Sequence, residues 1–437
     1  MNFKVSLQQG MIWRSLYFIS LLLVNIFFSR YLQASTIGWV FYLTNIFAFV
    51  QLLASLSLES GITFFAASGK INANHLFWVS ALWSLVIGFI SSFLLYFYLH
   101  YFGELDPTAG MKYFYFSFCY ITGLLLTNYA TVLFYAKGIF KLPNIIMVLL
   151  NISLLILILY FFIYSGDAID IVLNIYFFYF LLQGVVLFIA YLVQNKSWRE
   201  FGWTNAIDTK KILRFSVIAL MANTIFFLVY RIDYWFVHKS PVCTDADLGN
   251  YIQVSKIGQM LLIVPQIIAS VVYPGTASGK GREQFHTGIM IIARLLSQLF
   301  LVALILTAFF GNAIFIAVFG ETFDRMWLPF IILIPGIFSL SVLTMLSSYF
   351  AGKGNLRVNV IGATIALVIV IIGDYFLVPV YGIVAAACVS TVAYMANLAF
   401  SLRQFKLDYN INIINFFTWK KTDYSWLKKI TSKEKIE

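Results

Sequence analysis

Along this chain apolar residues gather in long uninterrupted blocks rather than alternating with polar ones. The block from Val148 to Tyr164 holds only Asn151 and Ser153 as polar amides or alcohols in a run of aliphatic and aromatic side chains. A helix that crosses a bilayer needs roughly 20 such residues in succession. A transmembrane β-strand would instead show short segments of period two. The pattern therefore predicts an all-α, polytopic membrane protein. Its twelve spans fall at 11–29, 37–58, 76–99, 113–135, 143–164, 170–193, 215–237, 248–273, 287–310, 327–350, 358–378 and 382–402.

Composition agrees. Of 437 residues 61% are hydrophobic and 11% charged, against about 25% charged in a soluble domain. The net charge of +11 does not indicate nucleic acid, because the cations lie in the gaps between apolar blocks. With a cytoplasmic N-terminus, thirteen Lys and Arg fall in cytoplasmic connections and four (Arg30, Lys112, Lys239, Arg325) in outer ones. That asymmetry predicts both termini on the cytoplasmic side of the cell (inner) membrane. The three cysteines, Cys119, Cys243 and Cys388, form no CxxC pair, and the four scattered histidines suggest no metal site. The first block is followed at once by a second, which favours an uncleaved first helix over a signal peptide.

The gaps also repeat. Ala136-Lys137-Gly138-Ile139-Phe140-Lys141 reads like Gly352-Lys353-Gly354-Asn355-Leu356-Arg357, displaced by 216 residues. Ser68-Gly69-Lys70 recurs as Ser278-Gly279-Lys280, displaced by 210, and Gly38 matches Gly249, displaced by 211. Convergent turn chemistry is the bland explanation. Three matches at similar offsets predict two six-helix lobes, 1–205 and 206–404, followed by a basic tail, 405–437. That tail mixes aromatic residues with Lys420, Lys421, Lys428 and Lys429 and reads as an amphipathic segment on anionic lipid.

Ionisable groups inside spans are costly and mark function by default. Here they are Arg14, Arg231, Asp233, Lys256, Arg294 and Asp374, with Glu59 at an edge. Span eight carries Gln253, Lys256, Gln259, Gln266 and Ser270 on one helical face, and span seven carries Ser216, Asn223 and Tyr230. Such stripes line water or substrate rather than lipid. Arg231 and Lys256 are expected at one depth, with Asp233 pairing to one of them. The alternative is that these three charges satisfy one another as structural packing. Arg14 either points into the bundle or snorkels to the headgroups. Asp245-Ala246-Asp247 matches the DxD of glycosyltransferases, but its connection has no domain to hold a nucleotide.

With these residues in view, the chain resembles the polysaccharide transporter branch of the multidrug/oligosaccharidyl-lipid/polysaccharide exporter superfamily. The likeness rests on Phe350-Ala351-Gly352-Lys353-Gly354 and on the run from Asp374 through Pro379, Tyr381, Gly382 and Ile383 to Ala387. Leu248-Gly249-Asn250-Tyr251 through Pro265 to Tyr273-Pro274, Ser29-Arg30-Tyr31-Leu32 with Gly38, and Leu58-Glu59-Ser60-Gly61 add to it. Gln33 and Ala385 stand where that family usually has glycine. The resemblance implies flipping of an undecaprenyl-diphosphate-linked oligosaccharide by alternating access, with no enzymatic activity. It also implies membrane lipids and other polysaccharide assembly proteins as partners. No cofactor is indicated, and coupling to a proton or sodium gradient is left open. The intramembrane cations fit a diphosphate, and Gln and Asn fit sugar hydroxyls. A multidrug antiporter of the same superfamily is the alternative. A glycan polymerase or ligase is disfavoured by the short outer connections.

Overall fold

The computed structural model describes residues 3–67, 71–102, 110–164, 168–196, 206–277, 282–409, 413–420 and 423. It is helical throughout these residues, with no strand among them. The helices are α1 (Phe3–Ser55), α2 (Leu58–Ala67), α3 (Ala73–Phe102), α4 (Gly110–Ala136), α5 (Lys141–Tyr164) and α6 (Ile169–Asn195). They continue as α7 (Ala206–Arg231), α8 (Asp233–Lys239), α9 (Asp245–Leu261), α10 (Ile263–Ala277), α11 (Arg282–Phe319), α12 (Trp327–Gly352) and α13 (Leu356–Tyr409).

Among the described residues nine helices are long and apolar enough to cross a membrane. The twelve predicted spans emerge once the breaks are read. Helix α1 has 53 residues and α13 has 54, each about twice the length a bilayer requires. Each bends once at a non-helical residue, Gln33 (φ 64°, ψ 168°) and Gly382 (φ 59°, ψ −141°). The outer connections expected at 30–36 and 379–381 are thus helical but for one residue apiece. Helices α9 and α10, with 17 and 15 residues, are each too short and together make the eighth span. The second span also breaks, at Leu56 and Ser57, both at positive φ, before α2 restarts.

The chain divides into two compact units. Unit 1 comprises 1–33 and 39–227, and unit 2 comprises 34–38 and 228–437. Lipid gives apolar helices no hydrophobic reason to associate, so close backbone approach and aromatic packing hold each unit together. In unit 1, α4 and α6 cross at glycines: a Cβ on Gly123 would lie 2.3 Å from the Phe180 carbonyl, and one on Gly184 would lie 2.5 Å from the Gly123 oxygen. Around that crossing Phe116 stacks on Phe177 at 4.2 Å and Phe77 on Phe188 at 4.1 Å, pairs worth about 1 kcal/mol each beyond burial. In unit 2 the corresponding crossing sets Gly336 of α12 against Thr391 of α13, with a Cβ only 3.0 Å from the Thr391 Cα. Gly336 follows Pro335, which interrupts the α12 hydrogen-bond ladder, and the Thr391 hydroxyl donates to the Ile332 carbonyl at 2.7 Å.

The repeated turns share one construction. In the first, Gly138 (φ 74°) donates to the Tyr135 carbonyl and Ile139 to that of Phe134; in the second, Gly354 (φ 78°) donates to Ala351 and Asn355 to Phe350. This is a helix terminus closed by a left-handed glycine, which explains the glycine at both places. The preceding lysine is used alike. Lys137 Nζ donates to Asn195 at 2.9 Å and lies over the Tyr191 ring, and Lys353 Nζ donates to Asp408 at 2.8 Å and lies over Tyr349. Each lysine thereby ties the turn to the C-terminal end of another helix of its own unit, α6 for Lys137 and α13 for Lys353. The Ser68–Lys70 and Ser278–Lys280 match lies outside the described residues.

Candidate functional site

Of the polar side chains singled out in spans seven and eight, those of Tyr230, Arg231, Asp233, Gln253, Lys256, Gln259 and Gln266 belong to unit 2, and those of Ser216 and Asn223 to unit 1. Arg231 closes α7 and Asp233 opens α8, separated by Ile232 alone. Gln253 is buried in α9, while Lys256 and Gln259 on the same helix are half-buried. The Lys256 ammonium and the Arg231 guanidinium lie close enough for their charges to act on each other. Two cations so placed in a medium of low dielectric repel each other and attract an anion strongly. The Gln259 and Ser255 side chains reach the Tyr234 hydroxyl, which fixes that face of α9 against α8.

The stripe on span eight is interrupted. Pro265 supplies no N–H to the α9 carbonyl four residues earlier and its ring crowds that turn, so the helix breaks at Leu262. Gln266 therefore sits on α10, exposed, rather than in register with Lys256. The side chain of Ser270 lies outside the described residues.

Asp233 is buried at 1% exposure. Its carboxylate accepts the Tyr251 hydroxyl at 2.5 Å, the Tyr234 N–H at 2.9 Å and the Ser390 hydroxyl at 3.3 Å. Arg231 contributes through its charge. Beside this group stands a residue the spacing of polar positions did not single out as a site. Asp374, on the first half of α13, is fully buried, neither carboxylate oxygen has a hydrogen-bond partner among the described residues, and its charge acts on that of Asp233. A carboxylate buried without a donor needs a proton or a bound cation as its partner. The sequence signal was present, an acid in the middle of an apolar span, but no periodic stripe accompanied it. Among the described residues no three His, Cys, Asp or Glu side chains come together as a metal site.

The other predicted residues have surroundings of their own. Asn223 belongs to unit 1, where its amide donates to the Ser57 hydroxyl at 3.1 Å beside the break in the second span. Arg14, also in unit 1, is exposed and lies 5.8 Å from the centre of the Phe18 ring. Arg294 is buried at 4% and bound to Asp423 of the tail. Asp247 of the DxD sequence is a helix cap. It exchanges hydrogen bonds with Thr244 in a capping box and pairs with Arg325 at 2.6 Å. A cleft of about 430 Å³ beside this cap is lined by Cys243, Asp247, Arg325, Tyr381 and Gly382, and it includes neither Lys256 nor Arg231.

No protein-family model and no curated protein sequence matches the chain. Solved structures do. A lipid II flippase, MurJ, in its inward closed conformation, is 15% identical over 97% of this chain and 95% of its own, with a TM-score of 0.68. A multidrug resistance MATE family transporter of the MOP superfamily, inward-facing, is 14% identical over 88% and 94%, with a TM-score of 0.67. The Vibrio cholerae MATE transporter VcmN in its bent form is 14% identical over 95% and 99%, with a TM-score of 0.62. The chain is a multi-pass membrane protein with the fold these transporters share. Identities this low speak for the fold alone.

Proposed function

We propose that the protein is a flippase that carries an undecaprenyl-diphosphate-linked oligosaccharide across the cell membrane by alternating access, its lipid tail remaining in the bilayer. The observation that carries this reading is the placement of Lys256 within electrostatic reach of Arg231 in unit 2, on the helix that also carries the buried Gln253. Two interacting cations suit a diphosphate better than an uncharged or cationic drug. Gln253 and Gln259 supply the donors and acceptors that sugar hydroxyls require, and the fold shared with a lipid II flippase supports a lipid-linked substrate. Arg14 and Gln266, both exposed, are secondary candidates.

Asp374 and Asp233 favour coupling of this transport to a proton or sodium ion, because one of the two acids has no protein partner. The same pair gives the second reading, a cation-coupled multidrug antiporter, its specific support. Accumulation of lipid-linked oligosaccharide on the cytoplasmic face of a deletion strain, relieved by the intact gene, is the result expected of a flippase. Sensitivity to cationic drugs without such accumulation is the result expected of the antiporter.

A further inference from the structure

The tail is built into unit 2 through an interior ion pair. Arg294 Nε and Nη2 donate to the two oxygens of Asp423 at 2.7 and 2.6 Å, and Nη1 donates to the Asn415 carbonyl at 2.6 Å. Both side chains are nearly inaccessible, 5% and 1%. The Lys420 N–H donates to the same carboxylate, and the Trp419 indole N–H donates to Ser297, one turn along α11, at 2.8 Å. Phe416 is buried against Phe405 of α13, and Phe417 lies against Phe338 of α12. Depth explains why a guanidinium is tolerated there. Arg294 stands 25 residues before Phe319, the outer end of α11, which is roughly 38 Å of helix and exceeds a hydrocarbon core of about 30 Å.

The segment so fixed, at the level of the headgroups, turns Ile414 (59% exposed), Phe417 (40%) and Trp419 (51%) outward, with Lys420 beside them. From residue 403 onward the sequence holds eight Lys and Arg against four acids. Apolar and aromatic side chains with lysine, held rigidly at headgroup depth, are the chemistry of an anionic lipid surface. We propose that residues 413–420 form a foot that binds the anionic headgroups of the adjoining leaflet, held in its binding shape by the Arg294–Asp423 clasp. Arg294 thus serves the tail rather than the transported substrate, and this inference is independent of what that substrate is.

Hydrogen–deuterium exchange of the full chain in nanodiscs of phosphatidylcholine, with and without phosphatidylglycerol, tests it. The amides of 413–420 should exchange about fivefold more slowly with the anionic lipid for each lysine engaged, and Lys420→Gln should reduce that difference. Asp423→Asn should speed exchange in both lipids. Equal rates in the two lipids, unaffected by Lys420→Gln, would reduce the foot to an internal clasp and overturn the proposal. Unchanged exchange in Asp423→Asn would overturn the clasp. Should Asp423→Asn fail to fold, Lys420→Gln, which leaves the buried pair intact, decides the lipid question alone.

Discussion

Gly38 and Gly249 meet backbone to backbone within unit 2: a Cβ on Gly38 would lie 2.7 Å from the Gly249 nitrogen, and one on Gly249 would lie 2.0 Å from the Ala34 carbonyl oxygen. The two positions are also equivalents in the repeat, 211 residues apart. Gly38→Ala and Gly249→Ala must each push backbone from backbone, at about 1–3 kcal/mol. Both should lower the melting temperature of the detergent-solubilised protein. Gly311→Ala, which meets side-chain atoms of Thr307 and Trp327 rather than backbone, should cost less, and equal losses would contradict the close crossing.

Gln33 holds a backbone conformation, φ 64° and ψ 168°, that is essentially reserved for glycine and costs a side-chain-bearing residue about 1–3 kcal/mol. It is also where the chain departs from the glycine of the family it resembles. Gln33→Gly should therefore raise the melting temperature, since the Gln33 side chain is exposed and gives up no packing. A lowered melting temperature would show that the side chain supports the bend instead.

How far the sequence foretold this molecule can be judged from particular residues. The apolar blocks carried the all-helical class and the spans, because lipid imposes a length and a composition that no tertiary contact can override. The turns at Gly138 and Gly354 were legible for the same reason, since a left-handed helix terminus demands glycine. What escaped is short or unperiodic. The outer connection after span one is a single residue, invisible to a window of apolar positions, and the α9–α10 break depends on one proline, Pro265. Asp374 carries its meaning only through the burial and the neighbouring Asp233 that the fold provides. Arg294 read as an intramembrane cation because α11 runs beyond the bilayer thickness and its partner, Asp423, lies 129 residues away.

At the start of α9, Asp247 is held below the ordinary carboxyl value of 3.8: burial works against its charge, but the Thr244 N–H and hydroxyl and the Arg325 guanidinium prevail. A lowered folded-state value means the group stabilises the fold above pH 3.8, and that contribution fades as the pH falls further. The Arg325 side chain is 61% exposed, so solvent screening leaves the ion pair itself on the order of 1 kcal/mol or less. Thr244→Ala, which removes the helix cap, should cost about 1 kcal/mol at neutral pH. Asp247→Asn should lower stability at pH 7 and weaken its decline in acid, read from melting curves over that range. An undiminished acid decline would place the titration elsewhere.

If Asp374 holds the coupling ion, Asp374→Asn keeps its shape and removes the charge. Proteoliposomes bearing this variant should lose the acceleration that an imposed proton or sodium gradient gives the intact protein, while abundance and insertion stay normal. Undiminished response to both gradients would remove Asp374 from the coupling.

The proposed flippase depends on Lys256 and Arg231 together holding a diphosphate. The most direct measurement is the rate at which purified protein, reconstituted in liposomes, moves a diphosphate-linked oligosaccharide lipid between leaflets. Lys256→Ala should lose about tenfold or more, as expected for one charge-assisted contact of about 1.5–3 kcal/mol. Lys256→Arg should retain part of the rate because the charge persists. Normal flipping by Lys256→Ala, at equal reconstitution, would contradict the claim.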